Sequence, residues 1–419
     1  MYIAGFIIYS AIFIYLLYRL TRKAALLSFT ELTAAFMFKV LMGCLYGYVY
    51  LHYYNGDDTW MLHHQSLDEY QKLFHNTSLF FTEIGPAPSF AWAGGGFWHG
   101  LNVYIKTLEN DGITKTLGIV NILSRGNYYI NVVFFNFILF WGPYWLFKIL
   151  AKEYPAKRTP LLLVIFFFPP LVFWLSGIRA DGLLLFFLSL LLIHFRRWTY
   201  EQKKTSILYC IVAMTGLLIF RMQLVLVLIP ALLAWYISVK FTRKSVLTYV
   251  LVFAVTAFVF FATAWISPDR NLPGMVAKRQ QEFLALQGTR FQVDSLQSSV
   301  TSYARVLPQA VSDTFFRPYV WEAKGVLQIM TALEVIVFWL LVIWMIFKKD
   351  DQWKAQITSP LLLFFLSFGI TLYIFIGYTI PFPGAIVRYK AVPELLLLTI
   401  PVICSKWRPS GKINEKLYI

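Results

Sequence analysis

Long apolar runs separated by short polar breaks dominate the chain. Eleven of them read as spanning helices, at about residues 2–18, 31–54, 128–147, 160–177, 182–195, 206–221, 223–239, 246–266, 326–347, 359–380 and 392–405. A hydrocarbon core of roughly 30 Å takes about 20 apolar residues of helix. The fourth to sixth runs are shorter, and Pro169-Pro170 interrupts the fourth. The first run meets its first charge only at Arg19, so it is expected to span rather than to be cleaved as a signal. The fold class this pattern implies is all-α: a polytopic transmembrane helical bundle of about eleven spans, with residues 1–419 as one membrane-embedded domain.

Two long polar stretches, 55–127 and 267–325, interrupt the runs. In the first, His63, Leu67, Tyr70 and Phe74 recur at intervals of 4, 3 and 4, one face of a helix. His64, Asp68, Gln71 and Lys72 take the other face, so an interfacial amphipathic helix is expected. Gly85-Pro86 and Gly94-Gly95-Gly96, among Trp60, Trp92 and Trp98, predict a loop folded over the membrane surface. In the second stretch, Leu296, Val300, Tyr303, Leu307, Val311 and Phe315 predict another interfacial helix, kinked at Pro308. Before it, "MVAKRQQEFLALQG" reads as a basic helix capped by Gly288. Both stretches read as lids over a site between helices.

Charge then orients the bundle. Only 14% of residues are charged, against about 25% in an ordinary soluble domain. The net charge of +16 would suit nucleic acid, but its location excludes that partner. Of 37 basic residues, 21 fall in six short segments, 19–23, 148–158, 196–204, 240–244, 348–354 and 406–416. The positive-inside rule makes that side cytoplasmic, with the N-terminus outside and the C-terminus inside. Both long stretches then lie outside, with Asp57, Asp58, Asp68, Glu69, Glu83, Asp181, Asp313 and Glu322, and with five of the six histidines. The expected location is the cell (inner) membrane, with the chemistry on the extracytoplasmic face. Cys44, Cys210 and Cys404 lie in or beside apolar runs and imply no disulfide.

The chemistry begins at "YNGDDTWMLHH", where an apolar run gives way to Asp57 and Asp58. Asp58 or Thr59 could cap a helix starting near Trp60. A cap needs one carboxylate, however, and two adjacent acids repel unless a cation, a hydroxyl or an arginine stands near. Arg179, Arg221, Arg317 and Arg388 fall at outer span ends. They read either as snorkelling residues or as ligands of a lipid phosphate. Asp57 and Asp58, with His64 nearby, form a candidate site for Mg²⁺ or Mn²⁺, the hard ions that suit such ligands. His63 and His64, being adjacent, point apart and make a poor chelating pair. Lys39 and Glu334, each eight residues inside a run, are expected to pair with each other.

An aspartate pair in an outer loop at the end of an early spanning helix resembles the GT-C superfamily of polytopic glycosyltransferases. "FFPPLVFWLSGIRADGLLLFFLSLLL" resembles a unit of that superfamily's membrane core, and "PFPGAIVRYKAVPELLLL" resembles a segment of related bacterial membrane proteins with an Arg-Tyr, here Arg388-Tyr389, outside the last helices. The resemblance implies inverting transfer of a sugar from a polyprenyl-phosphate donor. Asp58 first, and Asp57 second, would be the general base or orient the acceptor hydroxyl. Here the pair follows the second apolar run rather than the first, which implies an added N-terminal helix. No large soluble C-terminal domain is expected, so the implied acceptor is a glycolipid or polysaccharide of the cell envelope. Two rivals remain open at this point. One is an O-antigen-type polymerase or ligase using a lipid diphosphate. The other is a flippase or transporter for lipid-linked sugars, which would place polar or broken segments at the midplane.

Overall fold

The structure is a computed structural model that describes residues 2–85, 96–242, 244–267, 271–286, 290–323 and 325–407. The expectations at Pro86, Trp92, Gly94, Gly95 and Gly288, and the basic residues Arg243, Arg408, Lys412 and Lys416, lie outside the described residues. Among those described, the chain is all-α, with one isolated bridge pair, Lys349 with Ser405. Among the described residues, eight helical stretches are long and apolar enough to cross a membrane: Tyr2–Ala24, Phe29–Tyr53, Tyr128–Glu153, Ala180–Glu201, Thr205–Lys240, Ser245–Ile266, Val326–Phe347 and Pro360–Thr379. The chain is a polytopic helical membrane protein.

It divides into two compact units, Met1–Met222 and Gln223–Ser410. In the first, α1 (Tyr2–Thr21) and α2 (Phe29–Tyr53) pack on α6 (Tyr128–Leu139). Ser28 opens α2 with a capping box, its hydroxyl accepting from the Glu31 amide and Glu31 accepting from the Ser28 amide. The first outer stretch is largely helical: α3 (Asp57–His75), α4 (Thr77–Thr82) and α5 (Gly96–Ser124). α3 packs along α5, burying Thr59, Leu62, His63 and Ser66. The expected helix is present. The 29 residues of α5 lie in a part of the stretch for which the sequence predicts no helix.

After α7 (Trp141–Glu153), the expected fourth span is two short helices, α8 (Arg158–Phe167) and α9 (Pro169–Trp174). They meet at Phe168, because Pro169 disfavours helical backbone in the residue before it. α10 (Ala180–Glu201) then packs on α7. The next two expected spans lie in α11 (Thr205–Lys240), whose 36 residues exceed what one crossing needs. Arg221 breaks it with φ −165° and ψ 84°, and the unit boundary falls beside that break.

The second unit holds α12 (Ser245–Ile266), α13 (Leu272–Leu284), α14 (Val300–Phe315), α15 (Val326–Phe347), α16 (Trp353–Ile357), α17 (Pro360–Thr379) and α18 (Pro383–Cys404). α17 and α18 form its centre, with α14 on α17 and α15 on α18. α14 approaches α17 so closely that a Cβ on Gly377 would lie 2.2 Å from the Ala310 carbonyl oxygen. The inner face of α14 is Tyr303, Val306, Ala310, Asp313 and Thr314. The expected helix is present; of its apolar face, Leu296 and Tyr303 are buried while Val300 and Leu307 are exposed. A helix at a lipid boundary leaves apolar side chains outside at no cost, so periodicity alone does not select its protein-facing side.

Candidate functional site

The candidate site is built on an abrupt turn. Asn55, Gly56 and Asp57 take φ values of 52°, 95° and 40° in succession, all left-handed. Glycine accepts this freely, but Asn55 and Asp57 carry strain that the surroundings must hold. The turn starts α3 at Asp57 and puts both acids in the first turn of the helix, where its dipole favours negative charge. Neither acid is a cap: the N-cap is Gly56, with no side-chain capping bond. Thr59 does not cap either, as its hydroxyl is 2.9 Å from that of Tyr128. Trp60 pins the turn by stacking on Tyr128 at 4.1 Å and donating from its indole N–H to the Gly47 carbonyl at 2.9 Å.

The partner of the acids is Arg179. Its guanidinium donates to Asp58 Oδ2 and lies 3.5 Å from Asp57 Oδ2. The exposure is asymmetric. The Arg179 side chain is 9% exposed, while those of Asp57 and Asp58 are 40% and 47% exposed. A buried cation therefore holds two carboxylates that keep open faces. Burial works against the charge on Arg179. Tyr46, Asp181, Asp58 and Asp57 outweigh it and hold the guanidinium above its ordinary value.

The segment that carries Arg179 is clamped. Lys39 Nζ donates to the Leu175 carbonyl at 2.7 Å and to Ser176 Oγ at 3.2 Å. Asn136 Nδ2 donates to the Ser176 carbonyl at 2.9 Å. α2 reaches this segment because a Cβ on Gly43 would lie 2.6 Å from the Ser176 carbonyl oxygen. The expected Lys39–Glu334 pair is not the one formed. Lys39 serves carbonyl and hydroxyl oxygens released where α9 ends, and Glu334 faces Glu394 and Lys390 in the second unit. Helix ends leave carbonyl acceptors unsatisfied, and a buried one recruits the nearest donor.

Behind Arg179, Asp181 is buried in the first turn of α10. It accepts from Arg221 at 3.0 Å, the residue at which α11 breaks. Asp57, Asp58, Arg179, Asp181 and Arg221 thus form an alternating charge array with one net negative charge. Asp181 is a member that the sequence reading did not single out, although it stands two residues from Arg179 in "SGIRADG".

His63 and His64 separate as expected. His64 is exposed. His63 is buried with Nδ1 3.4 Å from Asn131 Nδ2, and burial, with His64 beside it, pulls it down to about 4. It is therefore neutral near pH 7 and belongs to a buried network in which Asn121 Nδ2 donates to the Ser66 carbonyl at 3.1 Å. Among the described residues, no group of three or more His, Cys, Asp or Glu is placed to hold a metal ion.

Arg317, Arg388 and Tyr389 belong to the second unit. Arg317 donates to Glu322 Oε1 at 2.6 Å and to Asp313 Oδ1 at 3.0 Å, and its plane lies 4.0 Å from the Phe291 ring centroid. The donors that would grip a phosphate are committed to these acids. The Glu322 bond raises Arg317 further above its ordinary value, and Arg317 in turn holds Glu322 below the usual carboxylate range. Arg388 lies in the first turns of α18, half-buried, 5.3 Å from the ring of Tyr389.

Compared with protein-family models, curated proteins and solved structures, the chain matches none of them.

Proposed function

We propose that the protein is an integral-membrane glycosyltransferase of the GT-C type. It transfers a sugar from a polyprenyl-phosphate donor to a glycolipid or polysaccharide acceptor at the extracytoplasmic face. The observation that carries this reading is the pair of half-exposed carboxylates fixed by a buried arginine at a helix N-terminus. General-base chemistry needs an ionised carboxylate with a free lone pair, held where a hydroxyl can reach it. Asp58 is the base, and Asp57 orients the acceptor. Arg179 supplies the local cation that a divalent metal would otherwise provide. The full topology in this reading has eleven crossings, with the N-terminus outside and the C-terminus cytoplasmic.

The test is mass spectrometry of lipid-linked sugars and surface glycans in cells with and without the protein. The expected result is loss of one glycan and accumulation of one polyprenyl-phosphate sugar. Unchanged pools would overturn the reading. Accumulation of a lipid diphosphate oligosaccharide would replace it with the polymerase or ligase.

A further inference from the structure

Three ionisable side chains meet in the interior of the second unit. Glu334 on α15 is 0% exposed, and Lys390 and Glu394 on α18 are each 1% exposed. Lys390 Nζ lies 3.4 Å from Glu394 Oε2, one turn apart on the same helix. Glu334 faces Glu394 and Lys390, and Tyr373 of α17 faces both carboxyls. Among the described residues, neither oxygen of Glu334 nor Oε2 of Glu394 has a hydrogen-bond donor.

Two facing carboxylates hold only acceptors, and the single Tyr373 hydroxyl that faces them leaves both oxygens of Glu334 without a donor. With both ionised, the cluster carries one net negative charge away from water. An uncompensated buried charge costs several kcal/mol or more. One proton solves both problems. It cancels the excess charge, and it turns one carboxylate into a donor to the other, as in other carboxyl pairs that share a site. A metal ion fits poorly. Hard cations take about six or more oxygens, and the Lys390 ammonium already occupies the cation position beside Glu394.

We propose that Glu334 and Glu394 form a proton-binding site inside the helix bundle, holding one shared proton at neutral pH with Lys390 as fixed counter-cation. The bound species is a proton on a carboxyl oxygen, and no group is transferred or oxidised. The site is independent of the Asp57–Asp58 chemistry, and its failure leaves that reading untouched.

The test is infrared spectroscopy of the purified full-length protein in lipid nanodiscs, in H₂O and D₂O at neutral pH. The wild-type minus Glu334→Gln difference should show the carbonyl band of one neutral carboxylic acid, shifted by deuterium. Glu394→Gln should lose the same band, because the remaining carboxylate pairs with Lys390. Lys390→Met should about double it, since neutrality then needs two protons. If Lys390→Met does not fold, the wild type and the two Gln variants still decide. A difference that shows only ionised carboxylate bands would overturn the proposal. So would a band that persists in the Glu334→Gln, Glu394→Gln double variant, or carboxylate bands that respond to sodium at constant pH.

Discussion

Arg179 in the first unit and Arg317 in the second are each held by two acids, with opposite exposure. At Arg179 the cation is buried, only 9% exposed, and its acids are open at 40% and 47%. At Arg317 the cation and Glu322 are each 26% exposed, Asp313 is closed at 3%, and Phe291 covers the guanidinium plane. The ingredients are the same, but one arrangement presents carboxylates and the other consumes them. Burial raises Asp313, although Arg317 opposes the rise. That suits a group that ties the end of α14 to the turn that follows. An arginine at a span end therefore reads as machinery or as a tie according to which partner keeps an open face.

The comparison breaks first at Arg179. Arg179→Ala removes the cation that holds Asp57 and Asp58, while buried Asp181 keeps Arg221. Because those acids are half-exposed, the loss of stability should be only about 1 kcal/mol, while transfer should vanish. Arg179→Lys keeps the charge and loses the fork. A carboxylate displaced by about 1 Å can cost about 10²-fold in rate, and that loss with stability retained is the expected outcome. An Arg179→Lys protein with wild-type kinetics would reduce the site to a surface ion pair.

The clamp comes next. Lys39→Met strands the Leu175 carbonyl and the Ser176 hydroxyl, at about 1–3 kcal/mol for each buried group left unsatisfied. Thermal unfolding should fall accordingly, with a smaller drop in transfer. Unchanged melting would mean that the segment carrying Arg179 is held by other contacts. Arg317→Lys should cost only about 1 kcal/mol and leave the KM for donor alone, because Arg317 serves Glu322 and Asp313. A raised donor KM with melting preserved would return it to the phosphate site. The smallest effect belongs to metal removal. Excess chelator should leave transfer by purified protein unchanged, since Arg179 already serves as the cation of the pair. Activity lost in chelator and restored by Mg²⁺ or Mn²⁺ would restore the ion.

The spanning helices were legible because lipid imposes long apolar runs on them, and α3 because its period survives in a polar segment. α5 was obscured by the glycines and tryptophans at its start, which read as loop. The period of α14 left open which of its apolar positions meet protein, because apolar side chains on a membrane helix have two possible neighbours, protein and lipid. The Asp pair was visible as adjacent like charges. Its partner was not, because Arg179 lies more than a hundred residues away and nothing local announces the contact. Lys39 shows the same limit. Two charges buried in apolar runs look complementary on paper, yet the real partners were a carbonyl and a hydroxyl exposed where α9 ends.

The most direct test of the central claim is the rate of sugar transfer by purified Asp58→Asn protein, with its melting temperature measured alongside. Asn keeps the shape of Asp58 but cannot take a proton. Loss of a general base costs about 10²–10⁴-fold. The account predicts a loss in that range with donor binding and melting nearly unchanged, and a milder effect for Asp57→Asn. Wild-type transfer by a well-folded Asp58→Asn protein would contradict it.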